Sequence, residues 1–129
     1  MASATETHGA FSWNELMTTD AAAARKFYGQ LLGWQFKDMD MGGGMTYTLI
    51  NAGGQDVGGI MAIPPKAKGM PPNWGPYVTV DQVDKVVERA KGLGARVLVE
   101  PQDIPNVGRF ATISDPQGAM ISLITYLKK

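Results

Sequence analysis

The sequence predicts an α+β fold in which two βαβββ modules form a half-barrel cleft, and three observations predict it. The order strand, helix, strand, strand, strand is written twice within 129 residues. Glycine stops each helix, at Gly33 and Gly94. Four prolines fall in the ten residues 64–73 between the repeats. One helix covers only one face of a curved sheet, so the other face needs a partner or a ligand, and pairing two such modules makes the cleft.

The first module spans about 11–63. Phe11 to Thr18 reads as a strand and Thr19/Asp20 as a helix N-cap, after which Ala24, Phe27, Tyr28, Leu31 and Leu32 recur at helical spacing. That spacing predicts Phe27 and Leu31 in the core. Trp34 to Lys37 and Met45 to Ile50 read as strands, Asn51 to Gly54 as a tight turn and Val57 to Ile63 as the last strand. Gly42-Gly43-Gly44 does not lead from a strand into a helix, so it reads as a flexible turn and not a phosphate loop. The linker follows at 64–73.

The second module spans about 74–126. Tyr77 to Val80 is a strand and Asp81 the expected cap, with Asp84 as a capping-box variant. Val83, Val86, Val87 and Ala90 form the apolar stripe. Arg96 to Glu100, Arg109 to Ser114 and Ala119 to Tyr126 complete the sheet, the last two joined by the turn Asp115-Pro116-Gln117-Gly118. Asp115 reads as fixing that turn. Residues 11–129 thus form one domain, and the polar residues 1–10 are expected to be a disordered tail.

Composition removes whole classes of function. Twelve basic and twelve acidic side chains cancel, and none are clustered, so nucleic acid and anionic membranes are not expected partners. With no Cys there is no disulfide, thiolate nucleophile or zinc finger. The single histidine, His8, lies in the polar N-terminal stretch, which leaves no histidine for a cleft triad. No apolar run approaches the ~20 residues of a membrane helix, and residues 1–10 do not have the pattern of a signal peptide, so the expected location is the cytoplasm.

The doubled module, Asp20 followed by Phe27-Tyr28 and Leu32-Gly33-Trp34, and the Asp115-Pro116-Gln117-Gly118 turn together resemble the vicinal oxygen chelate superfamily over about residues 11–126. That superfamily includes glyoxalase I, extradiol dioxygenases, and fosfomycin- and bleomycin-resistance proteins. The run from Asp103 to Phe110 is similar to a bacterial glyoxalase-like subgroup. In metal-dependent members the ligands are His, Glu or Gln on the first and last strands of each module. The resemblance places those positions at Trp13, Met61, Gly75 and Ser122, none of which is a usual ligand. Shifting by one residue reaches Ser12, Asn14, Ile60, Ala62, Trp74, Pro76, Ile121 and Leu123, which supply a single Asn. Neither a metal nor another cofactor is expected.

If Trp13 faces the cleft, strand alternation brings Glu15 and Met17 to the same side. Glu15 is the candidate catalytic carboxylate: desolvation in an apolar cleft would raise its pKa and suit it to act as a general base or polar anchor. The competing role is structural, pairing with Arg109 or Tyr77. Trp13, Met61 and Trp74 are candidates for an aromatic and thioether lining, Tyr77 and Thr79 for polar contacts from the second module, Arg109 for attracting an anion, and Ser122 for the equivalent of a ligand position.

Three functions remain open at this point. The first is a metal-free cleft that binds a small, partly apolar molecule, with lyase or isomerase activity if Glu15 works as a base. The second is a metal-dependent lyase or isomerase of glyoxalase type acting on a carbonyl compound. The third is an interaction module that uses the open sheet face. Symmetric dimers are the commonest oligomers, so a homodimer is expected.

Overall fold

The computed structural model describes residues 3–40, 44–65 and 68–128. Their order is β1 (Phe11–Thr18), α1 (Ala21–Leu32), β2 (Gln35–Asp40), β3 (Thr46–Ala52), β4 (Gln55–Ala62), β5 (Asn73–Thr79), α2 (Val83–Gly92), β6 (Arg96–Ile104), β7 (Gly108–Ser114) and β8 (Met120–Tyr126). The βαβββ order is realised twice. Of the glycine-rich turn, Gly42 and Gly43 lie outside the described residues. The chain divides into two compact units, Asn14–Gly75, and Met1–Trp13 with Pro76–Lys129.

In the Asn14–Gly75 unit the strand order is β2-β3-β4-β1. β2, β3 and β4 are antiparallel, and β1 runs parallel to β4 with Glu15 beside Gly59, Leu16 beside Ile60 and Met17 beside Met61. The Asp20 side chain accepts a hydrogen bond from the Ala23 backbone N–H at 3.0 Å and starts α1. Gly33 ends it in the left-handed region at φ +72°, its N–H donating to Gly29 O.

Helix α1 packs through Ala21, Ala24 and Tyr28 onto Leu16, Ile50 and Ile60. Phe27 and Leu31, expected in the core, are instead 57% and 62% exposed, and Leu32 is exposed as well. The reason is geometric. Two interleaved i, i+4 rows, 24/28 and 27/31, both satisfy helical spacing because apolar residues occupy well over half of the helix circumference. The row carrying alanine wins the sheet, since small side chains let the helix axis approach it.

The other unit has the order β5-β8-β7-β6, with β5 parallel to β8 and the remaining pairs antiparallel. Val80, Val83, Val87, Ala111, Ile113 and Leu123 form its core, with Val86 and Ala90 packed against them. Here the predicted helix stripe holds. The cap differs: Gln82 is the N-cap residue and caps with no side-chain bond, while Val83 N–H donates to Thr125 Oγ1 at 3.0 Å. Asp115 fixes its turn as expected, accepting from the N–H groups of Gln117 and Ala119, both at 3.0 Å.

The N-terminal segment departs from a disordered tail. Residues Ala4–Glu6 make a 3-10 turn, Gly9 N–H donates to Thr79 O, and Thr79 N–H donates to Ala10 O, both at 2.8 Å. The Thr79 hydroxyl donates to Ala4 O at 2.7 Å, and the Asp81 N–H donates to His8 Nδ1 at 3.0 Å. A polar segment without an apolar stripe is tied down by backbone pairing, which composition does not reveal.

Candidate functional site

Along β1, Leu16 belongs to the cluster beneath α1, so the pleat turns Trp13, Glu15 and Met17 to the face without a helix. Glu15 is buried, at 8% exposure. A carboxyl group removed from water in this way is stable only where its environment compensates it, and such positions recur at functional sites. On β4 the same parity puts Ile60 under α1 and turns Gly59 and Met61 toward the face that carries Glu15. Met17 and Met61, in register, make a soft apolar row next to the Glu15–Gly59 row.

Gly59 gives the face a feature that sequence reasoning missed. A Cβ built on Gly59 would collide with the hydroxyl, Cζ and Cε2 of Tyr47. The phenol of Tyr47 therefore lies flat in the space a side chain would fill. Tyr47 comes from β3, which pairs with β4, and Gly59 stands about 4.8 Å, one strand spacing, from Glu15 on β1. The signal was available: glycine inside a strand often marks a close approach by another group.

In the other unit, Val78 and Val80 pack toward α2, so Tyr77 and Thr79 take the face without a helix. Tyr77 is buried and its ring lies 6.2 Å from that of Phe110. Thr79 is also buried, with its hydroxyl committed to Ala4 O. Ser122 shares a hydrogen bond of 2.8 Å with Thr112, both buried.

Arg109 is a correction. Ala111 and Ile113 face α2, and Arg109, two residues before Ala111, emerges on that same side, where Asp84 and Asp103 take it. Its hydrogen bonds with Asp84 and then Asp103 drive the guanidinium pKa up, and the bond from Arg109 holds the Asp84 carboxyl below its ordinary value. It is an ion-pair clamp held by two carboxylates and not a free attractor for anions.

Trp74 is a second correction. It belongs with Tyr28 and Trp34: its ring stands edge-on at 5.5 Å and 6.0 Å to theirs, and its Nε1 donates to the Tyr28 hydroxyl at 3.2 Å. Tyr28 and Trp34 stack at 5.4 Å. With Asn14, Ile50, Val57 and Gly58 they line a cavity of about 420 Å³. Ile50 belongs to the core beneath α1, so this cavity is on the helix side, away from Glu15. Residue parity along β5 separates Trp74 from Tyr77. The cavity has room, but Tyr28 is the sole ionisable side chain in its lining, and its hydroxyl already accepts from Trp74.

A divalent cation does not fit the residues at the superfamily's ligand positions. Trp13 has no lone pair to offer, Met61 is a soft thioether, Gly75 has no side chain, and the Ser122 hydroxyl is bonded to Thr112. Among the described residues no three His, Asp or Glu side chains are grouped to hold an ion.

Comparison with known proteins agrees with this fold. The chain is 40% identical over 116 residues to the Mycobacterium tuberculosis protein named "Putative glyoxylase CFP32", covering 90% of the chain but 44% of that protein. It is 29% identical over 127 residues to the anthracycline biosynthesis protein DnrV of Streptomyces peucetius, covering 89% of the chain and 46% of that protein. The chain thus spans less than half the length of these curated relatives. Among solved structures, methylmalonyl-CoA epimerase from Mycobacterium tuberculosis superposes with a TM-score of 0.69 at 18% identity, covering 99% of this chain and 94% of that one. Residues 10–123 match the model of one family, and the chain belongs to it: the Glyoxalase/Bleomycin resistance protein/Dioxygenase superfamily.

Proposed function

We propose that this chain binds a small, partly apolar, uncharged molecule on the helix-free face of its Asn14–Gly75 unit, with Glu15 as polar anchor and no divalent metal. The observation that carries this reading is the burial of Glu15 in a row flanked by Met17 and Met61. A buried carboxylate favours a ligand that offers a hydrogen-bond donor and disfavours an anion. Trp13 extends the apolar lining along the same strand. For the other unit taken by itself, Tyr77 and Ser122 are proposed as ligand contacts on its own helix-free face.

Catalysis is the second reading, favoured by the glyoxylase and epimerase names among the similar proteins. In it Glu15 takes a proton from the bound molecule as general base, which fits a lyase or isomerase. A homodimer is proposed as well, since symmetric dimers are the commonest oligomers and Phe27, Leu31 and Leu32 expose an apolar strip on α1 that a second copy could cover.

The test compares 2-phenylethanol, which can donate to Glu15, with ethylbenzene, which cannot. Glu15→Gln should weaken 2-phenylethanol about tenfold, the loss expected for a hydrogen bond to a charged group, and leave ethylbenzene unchanged. A variant that unfolds early yet binds both probes normally would assign Glu15 a purely structural role.

A further inference from the structure

We propose that Tyr47 is a ligand-contacting residue of this site, its phenol donating a hydrogen bond to an acceptor oxygen on the bound molecule, and that Gly59 is the position that admits it. The proposal rests on the reading that the face of Glu15 is the ligand site, and it adds the second polar group of that site together with the ligand feature this group selects.

Strand register puts the phenol there. Glu15 and Gly59 are direct neighbours on parallel strands, and the Tyr47 phenol occupies the side-chain space above Gly59. The phenol is therefore on the same face and in the same row as the buried carboxyl group, about one strand spacing away. A side chain at residue 59, even a methyl group, would fill the space the ring now uses. Tyr47 is half-buried, so part of the residue can still meet a ligand.

The two groups differ in chemistry. An ionised carboxylate only accepts hydrogen bonds, whereas a phenol can donate one. The hydroxyl hydrogen rotates about the C–O bond, so Tyr47 can turn it toward an incoming acceptor whatever it bonds to without ligand. Together they select an uncharged molecule that presents a donor to Glu15, an acceptor oxygen to Tyr47 and apolar surface to Met17 and Met61.

The experiment uses acetophenone, which has an acceptor oxygen, and ethylbenzene, which has the same size without it. Binding to the whole chain is followed by titration. The wild type should bind acetophenone about fivefold more tightly than ethylbenzene, as one neutral hydrogen bond allows. Tyr47→Phe keeps the ring and should equalise the two probes, while leaving 2-phenylethanol sensitive to Glu15→Gln. Gly59→Ala should displace the phenol and give the same equalisation if it folds, with Tyr47→Phe deciding the matter if it does not. If Tyr47→Phe retains the preference for acetophenone while Glu15→Gln still weakens 2-phenylethanol, the proposal fails and the site reading stands. If the wild type binds none of the three probes, both fail.

Discussion

Arg109 holds Asp84 through two parallel hydrogen bonds, Nε to Oδ1 at 2.6 Å and Nη2 to Oδ2 at 3.1 Å, and so ties β7 to the first turn of α2. Asp84 has its carboxyl pKa lowered by that bond, so the clamp stabilises the fold above the ordinary value of 3.8 and loses its effect as pH falls through the lower, folded value. Arg109→Met should therefore melt below the wild type at neutral pH, with the gap closing as pH drops below 3.8. Thermal melts at pH 7 and in acid check this, and a gap that does not change with pH would contradict it.

The core assignment separates a buried strand residue from a helix residue that spacing alone expects in the core. Ile60 is fully buried against Leu16 and Ile50, and Ile60→Ala should cost about 2–5 kcal/mol. Phe27→Ser, on the exposed side of α1, should stay within about 0.5 kcal/mol of the wild type when both are compared as dilute monomers, where no partner covers the strip. Denaturant unfolding of both variants measures the difference.

Thr79 anchors the N-terminal segment. Thr79→Val keeps the shape but removes the bond to Ala4 O, and should cost about 1 kcal/mol. Amide exchange at Gly9, whose N–H is bonded to Thr79 O, should quicken in the variant. Unchanged protection at Gly9 would mean the segment is held by other contacts.

The purified chain should carry no stoichiometric divalent metal, because Trp13, Met61, Gly75 and Ser122 do not make a ligand set. Elemental analysis decides this directly. About one metal ion per chain, removable by chelator with loss of probe binding, would show that the ligands lie elsewhere.

The fold was legible in the sequence because its punctuation is chemical. Asp20, Gly33 and Asp115 each perform the capping or turn role their residue type suits, and the strand pattern repeats. Face parity was legible too, since Leu16 and Val80 mark the helix side and so define the opposite one. What failed depended on choices that spacing leaves open. Phe27 and Ala24 belong to rows equally compatible with a helix, Trp74 was grouped with Trp13 and Met61 but packs with Tyr28 and Trp34, and Arg109 is claimed by Asp84, 25 residues away in sequence. Gly59 inside a strand signalled a close approach, but that Tyr47 is the group that makes it depends on strand register, which spacing does not give.

Two places compete for the ligand: the Glu15 face, which is proposed as the site, and the aromatic cavity beside Tyr28. Titrating the chain with 2-phenylethanol while recording methionine methyl and tryptophan indole resonances separates them. The methyl signals of Met17 and Met61 should shift first and saturate together, with the indoles of Trp34 and Trp74 unaffected. Saturating shifts at Trp34 and Trp74, with Met17 and Met61 silent, would place the ligand in the cavity and overturn the assignment to Glu15.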